Sequence, residues 1–281
     1  MIRVLAVVVK SIRTAVAKAY NLGVMASINV IKVGGKIVEE QDSLKNLLKL
    51  FSAMDGSKAL VHGGGRSATR IATLLGIESK MVDGRRITDA ETLKVVTMVY
   101  GGLVNKNIVA GLQQLGVNAL GLTGADMGVV CSDKRPVKEI DYGFVGDVKS
   151  VDGKRLAELI ASGVVPVMAP LSFSKEYGLL NTNADTIAAE TAKSLVPYYD
   201  VTLTFCFEKN GVLSDENDDN SVIPEITPAL YAEYKQKGII TGGMIPKIDN
   251  AFEALNAGVK RVVITKAENL GTQCGTVIVN V

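Results

Sequence analysis

Two lysines in this sequence stand next to paired glycines, and one aspartate sits among carboxamides. Lys32 ends a β-branched run and is followed by Val33-Gly34-Gly35, while Lys247 follows Gly242-Gly243-Met244-Ile245-Pro246. Between them come His62-Gly63-Gly64-Gly65 and Asn181-Thr182-Asn183-Ala184-Asp185. Adjacent glycines let backbone N–H groups come close to an anion, and a helix N-terminus beside them adds its partial positive charge. Two separated ammonium groups, an aspartate to organise them and two or three phosphate-ready loops make a set suited to phosphoryl transfer. The glycines match neither Gly-x-x-x-x-Gly-Lys-Ser/Thr nor Gly-x-Gly-x-x-Gly, so they are not a standard P-loop or dinucleotide fingerprint.

Taken singly, each motif also has a structural reading. Gly-Gly pairs end many strands, and His62 reads as a packed, hydrogen-bonding residue rather than a base. Gly84-Arg85-Arg86-Ile87-Thr88-Asp89 precedes a helix-length stretch, with Thr88 or Asp89 as its cap and one of the arginines facing solvent. The other arginine suits a carboxylate, to which its planar fork gives two parallel hydrogen bonds. A single Asn or Asp among Asn181, Asn183 and Asp185 is enough to cap a helix; three in five positions offer a cluster able to bind a substrate and hold a lysine.

The elements that must place these residues alternate along the chain. Strands are expected at 28–33, 59–62, 118–122, 164–169, 201–205, 261–265 and 276–279, and helices at 42–54, 67–75, 89–115, 152–162, 185–195, 228–237 and 247–257. Such alternation indicates an α/β fold with a mostly parallel sheet covered by helices on both faces, and ligands at the carboxyl ends of its strands. The polar segment 131–151 interrupts the rhythm as a β-hairpin excursion, and the acidic segment 208–224 reads as a solvated loop. A division between an N-terminal lobe, about 28–196, and a C-terminal lobe, about 197–281, falls at Pro197–Asp200.

Composition excludes several classes. The 281 residues are 47% apolar and 21% charged, which supports a sizeable core. Three scattered cysteines form neither a disulfide framework nor a zinc site, and one histidine cannot build a histidine-rich metal centre, so a reducing, cytoplasmic setting and no metal site are expected. No uninterrupted apolar run approaches the roughly 20 residues that span a bilayer, and no basic stripe marks a nucleic-acid partner. The net charge of +2 belongs to residues 1–27, which carry Arg3, Lys10, Arg13 and Lys18 and no acid. The rest holds 27 basic against 29 acidic side chains, a net of −2. Residues 1–27 project as a basic amphipathic helix, and three readings stay open: a targeting segment, a helix for oligomer contacts, or residues ahead of a start at Met25.

The order of motifs resembles that of acetylglutamate kinases, a branch of the amino acid kinase family. It is carried by Lys32-Val-Gly-Gly, His62-Gly-Gly-Gly, Gly84-Arg-Arg-Ile-Thr, Asn105-Lys106, Gly143-Phe-Val-Gly, Asn181-x-Asn-Ala-Asp185 and Gly242-Gly-Met-Ile-Pro-Lys247, and it runs from about Ile28 to the C-terminus. The resemblance implies a three-layer αβα sandwich of the carbamate kinase-like type, with the acylated amino acid in the N-terminal lobe and ATP in the C-terminal one. It implies Lys32 and Lys247 as catalytic groups stabilising the phosphoryl group and the leaving phosphate, with Asp185 orienting both. Gly64, Gly65, Arg86 and Asn181 would bind the N-acyl-L-glutamate, Arg86 through its α-carboxylate. Gly34, Gly35, Glu208, Gly211, Thr241 and Gly243 would bind ATP, with Mg²⁺ carried in by the nucleotide. The implied product is N-acetyl-L-glutamyl 5-phosphate, made in arginine biosynthesis; the alternatives are an N-succinyl-L-glutamate kinase and a non-catalytic regulatory member of the fold. A homodimer is implied, or a hexamer if the N-terminal helix is used. Glu208 replaces the aspartate of many relatives, and 266–276 does not match the segment of arginine-inhibited ones, so feedback by arginine is not expected.

Overall fold

The computed structural model describes residues 25–280 except 83 and 216. All but the last three residues of the basic amphipathic extension therefore lie outside the described residues. The strands are β1 (Ser27–Val33), β2 (Ser57–His62), β3 (Met81–Val82), β4 (Arg85–Arg86), β5 (Ala119–Leu122), β6 (Val130–Lys134), β7 (Gly146–Val151), β8 (Val165–Met168), β9 (Leu171–Ser174), β10 (Gly178–Asn181), β11 (Asp200–Phe207), β12 (Glu225–Ile226), β13 (Arg261–Lys266) and β14 (Thr276–Ile278). Eight of them make the main sheet, in the order β12-β14-β13-β11-β1-β2-β8-β5. It is parallel except for the β13–β14 pair.

Helices cover both faces, and the alternation of strand side chains decides which face each residue feeds. Ile28, Val30, Leu203, Phe205, Val262 and Ile264 pack under α5 (Gly153–Ala161), α6 (Ala184–Leu195), α7 (Pro228–Gln236) and α8 (Met244–Asn256). Ile31, Val33, Leu60, Val167 and Cys206 pack under α1 (Gly35–Glu39), α2 (Gln41–Ala53), α3 (Gly65–Leu74) and α4 (Ala90–Gln114). The two cores are thus separated by the sheet, and the sheet itself runs unbroken through both halves of the chain. This is the three-layer αβα sandwich around a mostly parallel open sheet.

The expected hairpin at 131–151 is present as the antiparallel β6–β7 pair, but it belongs to a four-stranded sheet, β10-β9-β6-β7, whose β9 and β10 the sequence reading passed over. Helix α1 was likewise unforeseen, because five residues with Ile and Val at their centre carry no helical period. Helix α4 is continuous but π-helical over Thr97–Val104. By length and composition it is apolar enough to cross a membrane, which no unbroken apolar run suggested. Its Val95, Val96, Val99, Tyr100, Val104, Ile108 and Leu112 are buried in the core.

Candidate active site

Strand β1 lies between β11 and β2, where successive connections leave the sheet in opposite directions, and such a switch point opens a crevice at the carboxyl ends of the strands. Lys32 is the penultimate residue of β1. Its ammonium lies 2.7 Å from Asp185 Oδ1, and Lys247 Nζ lies 3.4 Å from Asp185 Oδ2. Asp185 sits in the first turn of α6, where Asn183 is the cap, its Oδ1 accepting from the N–H groups of Asp185 and Thr186. With Asn183 satisfying the helix end, Asp185 is left to bridge the two lysines. Burial pushes its carboxyl pKa up, but the Lys32 and Lys247 ammonium groups outweigh this and hold it below its ordinary 3.8. Helix α8 starts at Met244, three residues before the expected start, which puts Lys247 inside its first turn.

The glycine loops meet backbone to backbone. A Cβ on Gly63 would lie 3.0 Å from Gly35 N, and one on Gly35 would lie 3.4 Å from Gly64 N and 3.6 Å from Gly65 N. Helices α1 and α3 therefore begin side by side, with the N–H groups of Gly35, Gly64 and Gly65 unpaired among the described residues. Ser67 N, one turn into α3, is already satisfied by Glu39 Oε1. Gly34 requires a correction. It is extended (φ −65°) and donates its N–H to Cys206 O at 3.1 Å, continuing the β1–β11 ladder, so it offers no free donor to a phosphate.

Beside this junction lies a cavity of about 200 Å³, lined by Gly63, Gly64, Gly65, Arg86, Tyr100, Asn181 and Asn183 among others. Drug-sized ligands take roughly 300–1,000 Å³, so the space suits one small ligand. Arg86 is buried while Arg85 is exposed, and Asp89, not Thr88, caps α4. The guanidinium is partly committed: Nη2 donates to Gly65 O and Thr69 Oγ1, and Nη1 to Ser79 Oγ, each at 2.8 Å. Three of its five N–H groups are thereby spent, so the expected clamp keeps less than its full fork for a carboxylate. Tyr100 escaped the sequence reading. The wide π-turn sets its ring against the loop, where a Cβ on Gly64 would come within 3.0 Å of it. The Gly101-Gly102 pair inside a helix-length stretch was the available signal.

The residues expected to hold the nucleotide are less gathered. Glu208 is exposed just past β11, and Thr241 and Gly243 are exposed ahead of α8. Gly211 faces protein: a Cβ there would lie 2.7 Å from Thr276 Oγ1 and 2.8 Å from Val222 Cγ1, so its glycine is needed for packing, whatever else it does. Among the described residues no three His, Cys, Asp or Glu side chains converge as a metal site.

His62 is fully buried and structural. Its Nδ1 donates to Gly63 O at 2.8 Å, and its Nε2 accepts from Asn105 Nδ2 at 3.0 Å, which also donates to Val167 O. Burial pulls its pKa down to about 4 against the opposing pull of the Gly63 carbonyl. Between about pH 6.5 and 4 the unfolded chain binds a proton that the native state refuses, so acidification through that window removes stability. At 1.36 kcal/mol per pH unit this is about 3 kcal/mol. In urea titrations His62→Gln is expected to lose that much less than the parent between pH 7 and 4; identical slopes would refute the assignment.

The geometry places a small-ligand cavity next to a lysine–aspartate–lysine bridge and unpaired backbone donors, an arrangement for moving a phosphoryl group. The profile of the amino acid kinase family matches residues 27–266, and the chain belongs to that family. Within it, the chain is 70% identical over 249 residues to the acetylglutamate kinase of Bacteroides thetaiotaomicron, covering 89% of this chain and 97% of that one. Among solved structures it is similar to smu.665 from Streptococcus mutans, with 31% identity, a TM-score of 0.75, and 89% and 98% of the two chains covered. The carbamate kinase of Giardia lamblia bound to AMP-PNP shares the fold at 14% identity and a TM-score of 0.68, covering 91% and 99%.

Proposed function

We propose that this chain transfers the γ-phosphoryl group of ATP to the side-chain carboxylate of N-acetyl-L-glutamate, forming N-acetyl-L-glutamyl 5-phosphate and ADP in arginine biosynthesis. The observation that carries the reading is the pairing of Lys32 and Lys247 with one carboxylate, at 2.7 and 3.4 Å, beside a cavity of small-ligand size. A carboxylate oxygen attacks the γ-phosphorus while the bond to the ADP oxygen breaks, and no proton moves. With a reference pKa of about 4.3 the nucleophile is already an anion, so positioning and charge neutralisation replace a general base. A neutral, buried His62 is in keeping with that.

Lys32, held on the central strand, and Lys247, at the start of α8, would offset the charge gathering on the transferred group. The N–H groups of Gly35, Gly64 and Gly65 would add donors. Arg86 and Asn181 would hold the acylglutamate in the cavity, in the lobe formed by residues 28–196. ATP would lie over 197–281, near Glu208, Thr241 and Gly243, bringing its own Mg²⁺. Asp185 is occupied by two lysines and is a poor metal ligand. The relatives named acetylglutamate kinase favour the acetyl over the succinyl group. We further propose a cytoplasmic setting, in keeping with three free cysteines, and a homodimer, since β5 is an edge strand and Leu120 on it and Met98 and Leu103 on α4 expose apolar side chains; light scattering at the mass of one chain would count against the dimer.

The test is to trap the acyl phosphate with hydroxylamine while offering ATP with N-acetylglutamate, N-succinylglutamate, glutamate and aspartate in turn. Turnover is expected with the acetyl compound. None with any acceptor would overturn the enzyme reading, and turnover confined to the succinyl compound would overturn the substrate.

A further inference from the structure

We propose that Thr88 is a positioning residue that fixes the hydrogen-bond polarity of Asn181, turning its carbonyl oxygen into an acceptor for the substrate's amide N–H; this rests on the acylglutamate reading above. Thr88 is fully buried, so water supplies no partner for it. Its hydroxyl carries one hydrogen. That hydrogen goes to Arg86 O at 3.1 Å, and Asn181 Nδ2 donates to Thr88 Oγ1 at 2.9 Å. A hydroxyl whose hydrogen is spent can only accept, so Asn181 must turn its NH₂ toward Thr88. Its Oδ1 has no donor among the described residues, and Asn181 lines the cavity.

The backbone around Thr88 prevents the arrangement from relaxing. Thr88 N donates to Tyr142 O at 2.9 Å, Phe144 N donates to Thr88 O at 2.7 Å, and Asn181 N donates to Phe144 O at 2.9 Å. The segment 142–145 is thus laced between the Arg86 and Asn181 walls. Gly143 allows this approach: its φ is +71°, and a Cβ there would lie 2.2 Å from Thr88 O. One hydroxyl therefore joins the backbone carbonyl of Arg86 to the carboxamide opposite, and sets what the Asn181 wall can recognise. An acceptor there favours an acylated amine, which offers N–H, and disfavours an ester oxygen at the same place.

The experiment compares kcat/KM for N-acetyl-L-glutamate with that for 2-acetoxyglutarate, its isostere with oxygen in place of the amide N–H, in the parent, Thr88→Val and Thr88→Ser. A buried polar group left unpaired by the wrong substrate discriminates strongly. The parent is expected to prefer the amide by about 100-fold or more. Thr88→Val should narrow the preference about tenfold, since a freed Asn181 can turn its NH₂ to the ester, while KM for ATP stays unchanged; Thr88→Ser should keep the preference. Equal use of amide and ester by the parent overturns the proposal even if Thr88→Val fails to fold. So does a Thr88→Val protein that loses both substrates in proportion, or a Thr88→Ser protein that loses the preference. A parent that turns over neither compound overturns the acylglutamate reading itself, and this proposal with it.

Discussion

Replacing Lys247 with alanine is expected to lower kcat by roughly 10²–10³-fold, the usual cost of deleting one preorganised group facing transition-state charge, with little change in KM for the acylglutamate. Lys247 approaches the bridge from α8, outside the cavity lining, so the ground-state acylglutamate does not depend on it. In the proposed reaction its charge is needed only as the phosphoryl group leaves ADP. Steady-state kinetics in both substrates would check this. Equal losses in kcat and in acylglutamate affinity would show uniform binding instead of transition-state stabilisation, and would remove Lys247 from its assigned part.

Asp185→Asn is expected to damage both stability and rate. The parent carboxylate is nearly buried between two ammonium groups, and removing one partner of a buried ion pair costs about 3–5 kcal/mol, because the remaining charge stays desolvated. Lys32, itself buried, would keep its place on β1 but lose the group that orients its ammonium. A fall in kcat of about 10²-fold or more is expected along with the lower urea midpoint. The pH dependence has a definite sign: since the native carboxyl titrates below its ordinary 3.8, its contribution is complete above that value and fades only as pH falls through the lower native one. An Asp185→Asn protein with parental midpoint and kcat would leave the bridge without consequence.

Much of this site was legible in the sequence because its parts are local. Gly-Gly after a β-branched run, and Asn-x-Asn-Ala-Asp ahead of a helix, state their geometry within a few residues, and Lys32, Asp185 and Lys247 do come together. What stayed hidden depends on neighbours distant in the chain. Gly34 looked like a donor until Cys206 took its N–H. Gly211 is also needed for packing, because Thr276 and Val222 leave no room for a Cβ there. Arg86 read as a free fork, yet Thr69 and Ser79 share it. Strands β9 and β10 are four residues each, too short for a period to stand out, and the π-turn that brings in Tyr100 has no distinctive residue pattern beyond a pair of glycines.

The flanking of β1 on both sides has one more consequence. Lys32 hangs from a strand whose amides are laddered to β11 and β2 and whose side chains feed both cores, so no partial opening releases it; its backbone is displaced only when the whole sheet comes apart. Lys247 stands in the first turn of α8, just after two exposed glycines, where opening one helix end costs less than parting the sheet. The two ammonium groups that meet on Asp185 therefore differ in what must open to move them. One moves only with the sheet, and the other moves with one helix end.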